Sequence, residues 1–104
     1  MQATKENILQ YLGEIKSEFS SNGIAIVALF GSYAKNTQTP YSDIDIAIGK
    51  QSDFLERHSA YSYFDTIAKL KELIGKKFHR NIDVFDIDSK SPFMESIKKE
   101  ILYV

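Results

Sequence analysis

The chain has 104 residues, 43% hydrophobic and 26% charged, and its 13 basic and 14 acidic residues leave a formal net charge of -1. That length supports one modest core, no apolar run approaches the roughly 20 residues of a membrane helix, and the absence of cysteine excludes disulfides and thiolate metal sites. A near-neutral charge makes no broad cationic field, which argues against direct nucleic-acid binding, and the amino terminus lacks the basic-then-apolar layout of a secretory signal, so a cytoplasmic protein is expected.

Thr4 is the expected N-cap of a first helix, with Ile8, Tyr11, Leu12, Ile15 and Phe19 at helical spacing and Asn22-Gly23 as its stop. Ile24 to Phe30 is short, apolar and β-branched, the pattern of a strand covered on both faces. Gly31 to Ser42 is polar and turn-rich, with Pro40 forbidding regular helix and a helical turn starting after Ser32. Asp43 to Ile48 reads as a second strand ended by Gly49, its Ile44, Ile46 and Ile48 on one face and Asp43, Asp45 and Ala47 on the other. Asp53 and Glu56 form a capping-box pair for a long helix, striped by Ala60, Tyr63, Ile67, Leu70 and Ile74 and stopped by Gly75. Asn81 to Ile87 is a third strand, Ser91-Pro92 the cap and first turn of a last helix, and Ile101 to Val104 a closing edge strand. The order predicts a small α/β (α+β) unit with a mixed sheet and helices packed on it, spanning residues 1–104 as one domain.

Chemistry concentrates at Gly31-Ser32 and, ten residues later, Asp43-Ile44-Asp45. Residues two apart on a strand share a face, with Cα atoms about 6.5 Å apart. Two carboxylates there repel each other unless cations sit between them, and two-metal sites hold their ions about 3.5–4 Å apart. All-oxygen ligands completed by phosphates suit magnesium, with two ions expected. Gly31 and Ser32 offer close backbone approach, amide donors and a hydroxyl for a triphosphate, and Lys35 adds a cation for the β- or γ-phosphate. A third carboxylate is needed to complete the second ion's shell and help deprotonate the acceptor. Asp83, mid-strand between Ile82 and Val84, is chosen, with Asp86 as the competitor. A lone Gly-Ser is usually a turn and a lone Asp-x-Asp a solvated loop; it is their spacing between two strand-like runs that points to nucleotidyl transfer. Ser42 either orients a carboxylate or begins the strand, Tyr33 is expected to pack beneath the turn, and His58 and His79 lack metal-ligand spacing. Tyr61, Tyr63 and Phe64 are assigned mostly to helix core.

At these residues the chain resembles the nucleotidyltransferase superfamily of DNA polymerase β, and more narrowly the minimal nucleotidyltransferases that serve as antitoxins beside HEPN-domain toxins. Gly31-Ser32-Tyr33-Ala34-Lys35, Ser42-Asp43-Ile44-Asp45-Ile46, Asn81-Ile82-Asp83-Val84 and Glu100-Ile101-Leu102-Tyr103 carry the resemblance. It implies magnesium, ATP as substrate, and transfer of AMP to a tyrosine of the HEPN ribonuclease toxin. In that scheme Gly31 and Ser32 hold the triphosphate, Asp43 and Asp45 the metals, and Asp83 the second metal and the acceptor proton. Lys35-Asn36 departs from the family's frequent Arg-Gly: lysine loses arginine's bidentate fork, whereas asparagine still adopts the left-handed turn. So short a chain leaves a wall of the site to a partner, and its 12% aromatic content is hard to bury alone, so self-association or a hetero-oligomer is expected. The alternative function is a binding module that neutralises its partner by occupancy. Transfer to a small molecule or an RNA end is a third possibility, disfavoured by the short chain and weak charge.

Overall fold

The structure, a computed structural model, describes residues 1–89 and 91–104. Helix α1 (Lys5–Ser21) begins where the Thr4 hydroxyl accepts from Asn7 N at 3.1 Å, as expected of an N-cap. It buries Ile8, Leu12, Ile15 and Phe19, the 3.6-residue stripe read from the sequence. Gly23, at φ +90°, turns the chain into β1 (Ile24–Phe30). Helix α2 (Gly31–Lys35) follows without a linker and ends on Asn36 in the left-handed conformation, φ 58°. Strand β2 (Ile44–Lys50) runs past Gly49, the expected stop. There a side chain would meet Ile26 and Ile87 at about 3 Å, so glycine serves close packing inside the strand rather than ending it.

The single long helix expected after Asp53 is two: α3 (Phe54–Arg57) and α4 (Ala60–Phe78). The Asp53 carboxylate pairs with Arg57 at 3.2 Å instead of capping the backbone, His58 is extended, and the Ser59 hydroxyl starts α4 by accepting from Ser62 N at 3.1 Å. Phe54 fills the slot that Gly23 leaves, where a Cβ would stand 2.5 Å from its ring, and stacks on His58. Gly75 does not stop α4. The helix continues to Phe78, which is buried, and closes on His79 at φ 55°. Strand β3 (Ile82–Asp86), α5 (Pro92–Ile97, capped by Ser91) and β4 (Leu102–Tyr103) complete the chain.

The sheet order is β3-β2-β1-β4, with β2 and β3 parallel and the other pairs antiparallel, the mixed α/β architecture expected. Its two faces differ. Val27, Leu29, Ile44, Ile46, Ile48 and Ile82 pack with α1 and α4 in the main core. Ala28, Phe30 and Ala47 face the other way, into a smaller cluster with Met94 and Ile97 of α5. Each fully buried aliphatic or aromatic side chain contributes about 1.5–3 kcal/mol, so the α1/α4 face anchors the sheet. Asp45 and Asp83 alternate with the main-core residues of their strands and therefore belong to the face that α5 covers.

Candidate active site

Strand register assembles the acidic site. In β2 and β3, Asp45 lies directly beside Asp83, and on its other flank Phe30 of β1 is its partner. Asp43 precedes β2 by one residue, near enough that its charge acts on the Asp45 carboxylate. Gly31, at φ +78°, follows Phe30 immediately; a Cβ there would lie 2.2 Å from Asp45 Oδ2. The backbone of the turn thus passes against the carboxylate, and only glycine permits both that conformation and that approach. Ser32 comes next, half-exposed at the start of α2, its carbonyl accepting from Thr37 N at 2.9 Å.

Electrostatics follow from this placement. Burial pushes the Asp45 carboxyl up to about 6 from 3.8, helped by the negative charges of Asp83 and Asp43. Among the described residues none of the three aspartates pairs with a lysine or arginine. Nor do any three His, Cys, Asp or Glu side chains among the described residues close into a cage around one ion. The site offers hard oxygen donors in neighbouring pairs, with charge that the protein itself leaves uncompensated. That donor set fits magnesium, which keeps part of its shell for water and phosphate rather than requiring an all-protein cage.

Asp86 is different. It lies on the main-core face, three residues from Asp83, where Lys50 and the Tyr63 hydroxyl (2.8 Å) donate to one carboxylate oxygen and Asp88 N (2.9 Å) to the other. Burial pushes its carboxyl up, but those donors outweigh it and hold it below the usual range. The structure thus brings Asp83, and not Asp86, beside Asp45. Lys35 pairs with Glu100 at 3.0 Å, both side chains about half exposed. Ser42 Oγ accepts from Thr39 N at 2.9 Å, so it holds the 39–42 turn. Tyr33 is buried, as expected. Tyr61 and Phe64 are not helix core: they are 85% and 66% exposed. About 100° of helical rotation per residue turns them away from the stripe of Tyr63, Ile67, Leu70 and Ile74.

Sequence reasoning missed a cleft of about 480 Å³ beside Asp43, between residues 40–43 and 79–81. Its walls come from two loops far apart in the chain, held together where Ile44 N donates to Asn81 O at 2.9 Å. The only available signal was the position of Arg80-Asn81 directly ahead of the Ile82-Asp83 strand.

A family model described as polymerase beta nucleotidyltransferase matches residues 13–104. A Methanocaldococcus jannaschii protein named as a putative protein adenylyltransferase is 32% identical over 102 residues, covering 96% of this chain and 93% of the relative. A solved structure described as a putative minimal nucleotidyltransferase superposes with a TM-score of 0.72 at 17% identity, covering 98% of this chain and 97% of the other. A toxin-antitoxin crystal structure with AMP-PNP superposes at 0.58 and 21% identity, over 97% of this chain and 72% of that one; at these identities the likeness is one of fold.

Proposed function

The chain belongs to the polymerase beta nucleotidyltransferase family, and on that premise we propose that it transfers AMP from ATP, with magnesium, to a tyrosine hydroxyl of a HEPN-type toxin and so acts as the antitoxin. The observation that carries the reading is the Asp45–Asp83 register with the Gly31 backbone against Asp45, a carboxylate pair directly beside a glycine turn. The name of the archaeal relative and the AMP-PNP in the toxin-antitoxin neighbour support nucleotide transfer within a partnered pair.

In this reading Gly31 and Ser32 bind the triphosphate through backbone amides and a hydroxyl, and Lys35 exchanges Glu100 for a β- or γ-phosphate oxygen. Asp43, Asp45 and Asp83 hold magnesium, which when bound neutralises triphosphate charge and helps pyrophosphate leave. Asp83, exposed at the sheet edge, accepts the acceptor hydroxyl's proton as its oxygen bonds to the α-phosphorus. The test is transfer from α-labelled ATP with magnesium onto the neighbouring gene product. Asp43→Ala and Asp45→Ala are expected to abolish labelling while the complex still forms. Retained labelling in both variants sinks the reading. Full neutralisation of the toxin by an unlabelling variant favours occupancy instead.

A further inference from the structure

The acceptor side of the site can be located from sheet order and reaction geometry together, an inference that rests on the AMP-transfer reading above. In phosphoryl and nucleotidyl transfer the attacking oxygen approaches roughly in line with the leaving group. The Gly31-Ser32 turn ends β1, whereas the cleft between residues 40–43 and 79–81 lies where β2 and β3 begin. β1 and β3 flank β2 on opposite sides, so the turn lies on the β1 side of Asp45, while Asp43 and Asn81 put the cleft where β2 and β3 enter the sheet. If a triphosphate seated on the turn runs toward α2, an in-line nucleophile arrives from the β3 side.

The cleft is built for more than a bare hydroxyl. Tyr41 stands at its wall, 93% exposed. Arg80 lines it as well. Of the chain's two arginines, Arg57 is paired with Asp53, while Arg80 makes no ion pair among the described residues and donates only to the carbonyl of its neighbour His79, at 3.0 Å. An exposed guanidinium with unused N–H groups is matched by a carboxylate, which it grips with two parallel hydrogen bonds.

We propose that this cleft is the acceptor subsite and takes a protein segment in which an acidic side chain neighbours the modified hydroxyl, the carboxylate pairing with Arg80 and the segment lying along Tyr41. The hydroxyl oxygen then forms its bond to the α-phosphorus, the bond from that phosphorus to the bridging oxygen breaks with its electron pair leaving on pyrophosphate, and the proton passes to Asp83.

The experiment uses the full chain with magnesium and a non-hydrolysable ATP analogue, and reads binding of two fluorescent tyrosine peptides, one flanked by glutamates and one by lysines. A short single-stranded RNA is the third probe. Wild type is expected to favour the acidic peptide by about tenfold, one well-placed charge pair. Arg80→Glu should reverse the order, and Arg80→Gln should erase it, with thermal melts unchanged because the residue is exposed. No acidic preference in wild type, a preference that survives Arg80→Glu, or tighter binding of the RNA overturns the subsite. A tenfold loss of nucleotide affinity in Arg80→Gln also overturns it, by assigning the arginine to ATP. Acidic-peptide preference without any label transfer from ATP would keep the cleft as a peptide-binding site but overturn its role as acceptor subsite together with the transfer reading, so the two failures stay distinguishable.

Discussion

Gly31 and Asp45 show how one residue can be shaped by another fourteen positions away. The left-handed turn at Gly31 brings backbone against the Asp45 carboxylate, and Phe30 with Asp83 flanks the same group. Its proton affinity rises because a partly buried charge stands beside two like charges. The folded chain therefore keeps a proton between pH 3.8 and about 6 that the unfolded chain has lost. Ionisation costs stability as pH rises through that window, and the full cost remains above it. Asp45→Asn is accordingly expected to stabilise the metal-free protein at pH 7 by on the order of 1 kcal/mol, discounted for solvent screening, with the gain shrinking toward pH 4. Thermal melts at several pH values with EDTA measure it, and an Asn variant less stable at pH 7 than at pH 4 relative to wild type contradicts the account. The third carboxylate separates by a different pair of variants. Asp83→Asn should lose AMP transfer with little change in stability. Asp86→Asn should keep transfer and lose about 1–3 kcal/mol, because Lys50 and Tyr63 lose a charged acceptor; urea unfolding beside a transfer assay separates the two.

At the scale of elements, local signals succeeded where the chain's own chemistry closed the motif. Thr4 and Ser91 each cap a helix through a hydroxyl, as expected. They failed where a neighbour competed. Asp53 had a capping-box partner in Glu56 but found Arg57, and Phe54 dropped into the space beside Gly23, so the expected long helix broke at His58. Gly49 and Gly75 read as stops but neither ends its element: Ile26 and Ile87 crowd the first at about 3 Å, whereas the second sits mid-helix, where a Cβ would make only ordinary contact with Arg80 O at 3.5 Å. Helix α4 also presents an aromatic pair outward. Tyr61→Ala and Phe64→Ala are expected to change stability by no more than about 0.5 kcal/mol each, as exposed positions do, whereas Leu12→Ala in the main core should cost about 2–5 kcal/mol. Denaturant midpoints check the contrast, and a cost near that of Leu12 at either aromatic would show burial that the fold does not provide.

For the whole molecule, the decisive feature is a sheet with two unlike faces. Helices α1 and α4 bury one face; α5 buries part of the other and leaves the ends of β1, β2 and β3 to carry Gly31, Asp43, Asp45 and Asp83. Ligand binding should therefore register as global stability: at about one hundred times its dissociation constant, magnesium with a non-hydrolysable ATP analogue is expected to stabilise the fold by about 2.7 kcal/mol. The thermal shift should vanish with EDTA or in the Asp43→Ala/Asp45→Ala double variant, and a shift that persists in both would place the nucleotide elsewhere. Among the described residues no helix is long and apolar enough to cross a membrane, as the composition implied. The sequence alone determined the strands, the Thr4 and Ser91 caps, and the left-handed turn at Gly31, because these depend on backbone conformation and residue spacing within a few positions. Pairing Asp83 rather than Asp86 with Asp45, committing Lys35 to Glu100 and opening the Arg80 cleft beside Asp43 were decided only by the tertiary structure. Each of these depends on strand register or on loops meeting across the chain, contacts that no local pattern encodes.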